Sequence, residues 1–218
     1  MAKKKTELPV EIISAYMKYV LENGSKPKSI YSFAHHLGIK ESDFYDQFAS
    51  FEILEKNIFK TFFDNTKRLL DGNKEYQSFD AQNKLLSFYY TFFELLKANR
   101  SYVVIALEKE KNKLKMLNSL SMLKKAFAEF IKDLNIETID FKEEKIEKFK
   151  TKGISEWTWA QLLFTMKFWL DDSSPGFEKT DVFIEKSITT SFALLDNSTL
   201  SSVFDLGKFL FKEKINTD

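Results

Sequence analysis

The amino-acid sequence predicts an all-α protein. Its 218 residues include six Gly and three Pro, so the chain has few of the residues that build tight turns. Hydrophobic residues make up 44% and charged residues 30% of the chain, and 16% of all residues are aromatic. Many apolar and charged residues with few turn residues are typical of amphipathic helices. This composition disfavours collagen-like, disordered and turn-rich β chains.

Apolar residues at helical spacing predict three helices near the amino terminus. A period of about 3.6 residues begins at Pro9 and ends at Gly24. Two shorter apolar segments, 30–37 and 41–48, follow on either side of Gly38. Two short helices joined by a glycine turn are typical of a helix-turn-helix, so this motif is predicted here.

Broader apolar faces predict a helical bundle after the helix-turn-helix. The expected helices cover residues 51–70, 79–99, 117–134, 155–170, 179–195 and 200–212. An apolar piece at 102–107 and a charged stretch at 108–115 separate the second of these helices from the third. Residues 135–152 are rich in Lys and Glu, so we expect a surface loop that holds at most one solvated helix.

Net charge and cysteine content narrow the function classes. The chain carries 33 Lys and Arg against 32 Asp and Glu, a formal net charge of +1, so no global attraction to nucleic acid or to an acidic membrane is expected. Any contact with DNA must come from a local patch of basic residues. The sequence contains no Cys, which excludes disulfides, a thiolate nucleophile and a Cys-based zinc site.

The chain is expected to stay in the cytoplasm. Its first residues are basic, but Glu7, Pro9 and Glu11 interrupt the segment where a signal peptide would be apolar. The most apolar run, 157–170, contains Lys167 and is shorter than the roughly 20 residues needed to span a bilayer. We therefore expect no membrane span.

No catalytic, cofactor or metal site is predicted. No two of the six glycines lie within ten residues of each other, which excludes a dinucleotide fingerprint, a phosphate-binding P-loop and a nucleophile elbow. His35 and His36 are adjacent and point to different sides of a helix, whereas a helical zinc site needs two His one turn apart. The carboxylates of Asp171 and Asp172 suit the end of a helix. The protein is accordingly not expected to be an enzyme.

Residues 24–54 resemble the amino-terminal domain of TetR-type transcriptional regulators. The residues that carry the resemblance are Gly24, Ile30, Phe33, Ala34, Leu37, Gly38, Ile39, Phe44, Tyr45, Phe48, Ser50, Glu52 and Leu54. The resemblance implies a TetR-like fold, with a three-helix helix-turn-helix DNA-binding domain in residues 1–50. It further implies a ligand-binding and dimerisation domain in residues 51–218, whose last two large helices join two chains into a homodimer.

The resemblance also implies which residues meet DNA. They lie at the start of the second helix and on the recognition helix, which is the third: Lys28, Ser29, Lys40, Ser42 and Tyr45. A basic arm at residues 3–5 would add contacts to phosphates.

The expected recognition helix departs from the family pattern in its charge. Residues 40–52 carry a net charge of −3. Their single Lys stands against four carboxylates, those of Glu41, Asp43, Asp46 and Glu52. Where the family usually has a Lys after Ser50, this sequence has Phe51. Phosphates repel such a helix, so we expect weak DNA binding at physiological salt.

A second stretch is similar to a different branch of the same fold. Residues 169–177, with Thr180, Phe183 and Ile184, look like part of the TetR-fold lipid-binding proteins that assist ubiquinone biosynthesis and do not act as DNA repressors. Two functions therefore remain open. The amino-terminal resemblance favours a ligand-responsive regulator, and the acidic recognition helix favours a lipid or isoprenoid binding protein that has lost DNA binding.

Aromatic residues of the predicted bundle indicate an apolar small-molecule ligand. The candidate ligand-binding residues are Phe88, Phe92, Tyr102, Phe127, Trp157, Phe164 and Phe168. Each of them also suits the ordinary core of a helical bundle. The dimer seam is expected to use apolar residues of the last two large helices, namely Trp159, Leu163, Phe183, Ile188 and Phe192.

Overall fold

Helices make up most of the part of the chain that the structure describes. The computed structural model describes residues 2–108, 113–136 and 144–195. Within these ranges the chain forms eleven α-helices and one 3₁₀ turn, and it forms no β-strand. None of the helices in these ranges has both the length and the apolarity that a membrane crossing requires. The all-α prediction is therefore confirmed.

The helices follow one another closely along the sequence. They are α1 (Ala2–Asn23), α2 (Ile30–Leu37), α3 (Glu41–Tyr45), α4 (Phe51–Asp71), α5 (Lys74–Ser78), α6 (Ala81–Ala98), α7 (Arg100–Glu108), α8 (Lys113–Ser119), α9 (Ser121–Asp133), α10 (Glu144–Asp171) and α11 (Glu178–Leu195). The 3₁₀ turn, Pro175–Phe177, connects α10 to α11. The helix expected at 200–212 lies outside the described residues.

The first helix is longer than its apolar period. It begins at Ala2, whereas the sequence pattern placed its start at Pro9, which lies inside the helix. Residues 2–8 contain no Gly or Pro and include Ala, Lys, Glu and Leu, all good helix formers. Intrinsic propensity therefore extends the helix beyond the residues that show a buried face.

The boundaries expected in the middle of the chain were wrong in two places. The helix expected at 117–134 is divided into α8 and α9 by a turn at Leu120. The apolar period does not mark this break because Leu120 and Leu123 are both buried. The helix α10 begins at Glu144 and not at 155, so it includes part of the stretch expected to be a surface loop with at most one solvated helix. The Lys and Glu that suggested solvent exposure are also good helix formers.

The described helices form two compact units. The first contains the described residues of Met1–Leu69 and Thr91–Phe127, and the second contains those of Leu70–Tyr90 and Ala128–Asp218. The first unit holds the helix-turn-helix together with most of α4, so it extends past residue 50.

Aromatic rings form the core around the helix-turn-helix. Phe33 of α2 meets Phe44 of α3 edge to face, with ring centroids 6.2 Å apart. Phe51, the first residue of α4, lies 5.8 Å from Phe33 and 5.6 Å from Phe44. Tyr16 of α1 contacts both Phe33 and Phe51. Each such pair adds about 0.5–1.5 kcal/mol beyond the burial of its area, so the cluster holds these four helices together.

In the second unit, α10 and α11 pack through a buried stripe. Leu162, Met166 and Trp169 recur every three or four residues along α10 and are buried. Ile184 and Ile188 form the buried face of α11. The two helices contact each other and are joined by the short turn that follows Asp171.

Candidate functional site

The helix-turn-helix formed by α2 and α3 is the first candidate site. Both ends of α2 are capped. The Oγ atom of Ser29 accepts a hydrogen bond from the backbone N–H of Ser32 at 3.1 Å. At the other end, Gly38 has a φ of 70°, in the left-handed region. The N–H groups of Gly38 and Ile39 bond back to carbonyls of the last turn at 3.1 Å. A residue with a Cβ adopts this conformation at a cost, so Gly38 allows the sharp turn into α3.

The helix α3, which the resemblance implies to be the recognition helix, is short and buries one side of itself. The Oδ2 atom of Asp43 accepts a hydrogen bond from the backbone N–H of Lys40 at 3.0 Å, which stabilises the first turn. Phe44 is fully buried, whereas the next residue, Tyr45, is 51% exposed. The helix therefore presents Tyr45 to solvent from a rigid aromatic base.

All five side chains that were predicted to meet DNA lie at the surface of the first unit. Lys28 and Ser29 precede α2, Lys40 precedes α3, and Ser42 and Tyr45 belong to α3; all are exposed. The hydroxyl of Ser29 is in addition the cap of α2, so a phosphate contact there would compete with the cap. The basic arm at 3–5 lies in a part of α1 whose side chains the structure does not describe.

The structure explains the departure at Phe51. Its side chain is buried in the aromatic core of the helix-turn-helix, in contact with Phe33 and Phe44. A Lys at this position would reach toward solvent, whereas Phe51 packs inward. Phe51 thus serves as a core residue of the helix-turn-helix.

Two carboxylates of α4 neutralise the charge of Lys26. The Nζ atom of Lys26 lies 3.4 Å from Oε1 of Glu52 and 4.0 Å from Oε1 of Glu55. The pKa of Glu52 lies below its ordinary value because its own backbone N–H and Ser50 hydrogen-bond to the carboxylate; Lys26 lowers it further, and burial opposes the shift. Glu52 is thus negatively charged at neutral pH, and Lys26 adds little attraction for phosphates.

Four of the predicted ligand-binding residues are buried. Phe88, Phe92, Tyr102 and Phe127 all have almost no exposed surface. Phe88 belongs to the second unit, where its ring lies 4.8 Å from that of Phe130. The other three belong to the first unit. All four residues occupy core positions. A ligand would have to displace them or contact them inside the core.

The remaining three candidates lie at the surface of the second unit or close to it. Trp157 is 56% and Phe164 is 64% exposed in the single chain, so their role in ligand binding stays a prediction. The buried stripe of α10 turns their side of the helix outward. Phe168 is half-buried and stacks on Phe183 of α11, with ring centroids 4.6 Å apart.

A cavity of about 380 Å³ lies within the first unit, among α1, α4, α7 and α8. Tyr102 is the one predicted ligand residue on its wall. The hydroxyl of Tyr16 donates a hydrogen bond to Oε1 of Glu55 at 2.5 Å, and both residues also line the cavity. Burial raises the pKa of Tyr16, and the negative charge of Glu55 raises it further. The phenol is therefore protonated and acts as a donor to a charged acceptor.

Sequence reasoning did not identify Tyr16 and Glu55. They lie 39 positions apart, and helical periodicity describes one helix at a time. The available signal was weak: each places a polar group on the apolar face of its own helix. Among the described residues, no three His, Asp or Glu side chains come together in a way that would hold a metal ion.

Comparison with known families identifies the larger part of the chain. Residues 84–210, more than half of the protein, match the family model described as the tetracyclin repressor-like, C-terminal domain. A search among curated proteins found no match. The family match lies outside residues 24–54, which carried the amino-terminal resemblance, so two separate parts of the chain agree. The TetR-like all-α fold is confirmed, and the chain belongs to the TetR family of regulators.

Proposed function

We propose that the protein is a TetR-type transcriptional regulator of the cytoplasm. In this proposal it is a homodimer that binds DNA through the helix-turn-helix and responds to an apolar small molecule. Residues 1–50 bind DNA, and residues 51–218 bind the ligand and form the dimer. The observation that carries the proposal is the capped helix-turn-helix, which exposes Lys28, Lys40 and Tyr45 above a rigid aromatic core.

A symmetric dimer is the natural form for such a protein. Two copies of α3 on a two-fold axis would enter successive major grooves of a duplex. The exposed apolar side chains of α10 and α11 support this part of the proposal, because Trp157, Phe164 and Val182 would be covered at an interface.

The ligand is proposed to be apolar because the interior is rich in aromatic rings. Phe92 and Phe127 are fully buried, lie within the first unit and fall inside the region that matches the family model. A compound that co-purifies with the protein would be retained there by burial of its apolar surface.

One observation favours a second candidate, a lipid or isoprenoid binding protein of the same fold that has lost DNA binding. Residues 40–52 carry a net charge of −3, and Lys26 is already paired with Glu52. Each phosphate contact that is missing lowers affinity for DNA, so the motif is poorly equipped for tight binding.

A gel-shift assay with the upstream region of the protein's own gene distinguishes the two candidates. We expect a sequence-specific shift that Tyr45→Ala weakens and that the control Tyr90→Ala, an exposed tyrosine of α6 outside the motif, leaves unchanged. Absence of a shift even at low salt, together with a lipid in the mass spectrum of the purified protein, would favour the second candidate.

A further inference from the structure

We propose that the cavity of the first unit binds a small organic cation, an ammonium group attached to an apolar body. This inference goes beyond the proposed function, because it requires neither DNA nor a second chain. The cavity measures about 380 Å³, which falls in the usual range for small-molecule sites.

Aromatic rings and the carboxylate of Glu55 lie together on the wall of this cavity. Tyr16 of α1, Phe59 of α4 and Tyr102 of α7 are buried and contribute to it. Glu55 lies on the same wall and is held in place by the hydroxyl of Tyr16. Aromatic faces and a carboxylate attract positive charge, and their attraction increases where water is excluded.

The two polar groups left for a ligand suit an ammonium ion. The Oε1 atom of Glu55 accepts the hydrogen bond from Tyr16, and Oε2 has no hydrogen-bond partner among the residues that the structure describes. Tyr102 is buried, and within the same described ranges its hydroxyl also makes no hydrogen bond. Neither atom is sealed off in the core, so both can be reached from the cavity. A ligand can therefore donate an N–H bond to Oε2 and contact the phenol, and a hydrogen bond between an ammonium and a carboxylate is stronger than one between neutral groups.

Basic side chains also reach the cavity, and their positions decide the sign of the ligand. Lys26 is exposed and pairs with Glu52, Lys115 is exposed, and Lys56 has a long stem whose ammonium group can turn to water. Glu55 has less freedom, because its carboxylate is mostly buried and bonded to Tyr16. An anionic ligand would have to approach this fixed negative charge, whereas a cation would be stabilised by it.

An occupant of this cavity would act on the helix-turn-helix. Tyr16 belongs to α1 and Glu55 to α4, so their hydrogen bond joins the first helix of the motif to the helix that follows it. A cation at Oε2 would share the carboxylate with Tyr16 and would tighten the contact between these helices.

Three probes with the same phenyl body and different charge test the proposal on the full chain. They are 2-phenylethylamine, 2-phenylethanol and 3-phenylpropionate, compared by saturation-transfer NMR at pH 7. We expect the amine to bind at least about tenfold more tightly than the other two, which is the discrimination that a charge-assisted hydrogen bond supplies. Equal binding of the alcohol, preference for the propionate, or binding of none of the probes would overturn the proposal.

Variants locate the site. Glu55→Gln keeps the shape and removes the charge, and we expect it to weaken amine binding about tenfold or more. Glu94→Gln, an exposed carboxylate of α6 paired with Lys97, is the matched control and should change nothing. If circular dichroism shows that Glu55→Gln does not fold, Tyr102→Phe is tested in its place. It removes one hydroxyl and should weaken binding of the amine several-fold. Unchanged amine binding in the folded variant would refute the assignment.

The outcome is separable from that of the gel-shift assay. A protein that binds the amine and shifts no DNA keeps this site and loses the regulator proposal. A protein that shifts its own upstream DNA and ignores the amine does the reverse.

Discussion

Thr180 donates two hydrogen bonds to Oδ2 of Asp172, from its backbone N–H at 2.9 Å and from its hydroxyl at 2.7 Å. The other oxygen, Oδ1, accepts two from Ser174, from the backbone N–H at 2.8 Å and the hydroxyl at 2.7 Å. One carboxylate therefore ties the end of α10 to the first turn of α11. Burial raises the pKa of Asp172, but these four hydrogen bonds outweigh it and lower the pKa to about 2.

Asp172→Asn is expected to destabilise the protein by about 2 kcal/mol, because an amide group would face the N–H and hydroxyl donors that now bond to a carboxylate oxygen. The measurement is the urea dependence of circular dichroism. The neighbouring Asp171→Asn is the control, since Asp171 is exposed and pairs with Lys167 on the surface. Equal effects of the two substitutions would show that the hydrogen bonds of Asp172 contribute nothing special.

The same carboxylate predicts an acid-sensitive stability. Its pKa is lowered from 3.8 to about 2 in the folded chain, so its contribution is complete above the unfolded value and is lost as the pH falls from about 4 to about 2. We expect the difference in stability between the native protein and Asp172→Asn to shrink over this window. A difference that stays constant from pH 5 to pH 2 would contradict the assignment.

Gly38→Ala and Gly153→Ala should have opposite effects. An added Cβ meets no atom within 4 Å at either position, so only backbone conformation decides. Gly38 has a φ of 70°, and Ala there should cost about 1–2 kcal/mol. Gly153 lies inside α10, where Ala should stabilise by about 0.5–1 kcal/mol. Thermal unfolding of the two variants beside the native protein checks both signs.

Removal of one acidic charge from α3 should tighten non-specific DNA binding. Asp43 and Asp46 both place a carboxylate in or next to α3, but Asp43 also accepts the hydrogen bond that stabilises the start of α3. Asp46→Asn alone is therefore the cleaner variant. We expect its affinity for a random duplex, measured by fluorescence anisotropy, to rise at low salt and the gain to fade as salt increases. An unchanged affinity at low salt would show that this charge lies away from the phosphates.

Phe164→Glu should separate the proposed homodimer. Phe164 is exposed, and its ring centroid lies 5.8 Å from that of Phe183 in α11. A carboxylate at position 164 would be buried in the proposed dimer interface without a partner. Light scattering should give twice the chain mass of 25.6 kDa for the native protein and a single chain mass for the variant. Tyr31→Glu, at an exposed aromatic residue of α2, is the control and should remain dimeric. A native protein that stays at 25.6 kDa on concentration would rule out the dimer.

Periodicity predicted the helices because each amphipathic helix carries its own pattern. The helices at 51–70 and 179–195 were placed almost to the residue, as α4 and α11. The break at Leu120 was missed, because Leu117, Leu120 and Leu123 keep a helical spacing across it although only Leu120 and Leu123 are buried. The pattern also marks Trp157 and Phe164 as apolar without indicating that their side of α10 faces solvent.

The two candidate sites also differ in how much of each could be predicted from the sequence. Residues of the helix-turn-helix could be named from sequence because they are close together along the chain and follow a family pattern. The pairing of Tyr16 with Glu55 joins distant segments and follows from tertiary packing alone. The sequence does not indicate that α1 and α4 lie side by side, so it does not predict this pair.

The discontinuity of the first unit has a consequence for biosynthesis. Its first segment ends at Leu69 and its second ends at Phe127, and α1 packs against α7. At the usual elongation rates of about 5–20 residues per second, the ribosome needs about 3–12 s to synthesise residues 70–127. During that interval the nascent amino-terminal helices expose part of the apolar surface that the second segment later covers. Chaperone demand should therefore be highest early in translation, and codon choice between residues 70 and 127 becomes a determinant of yield.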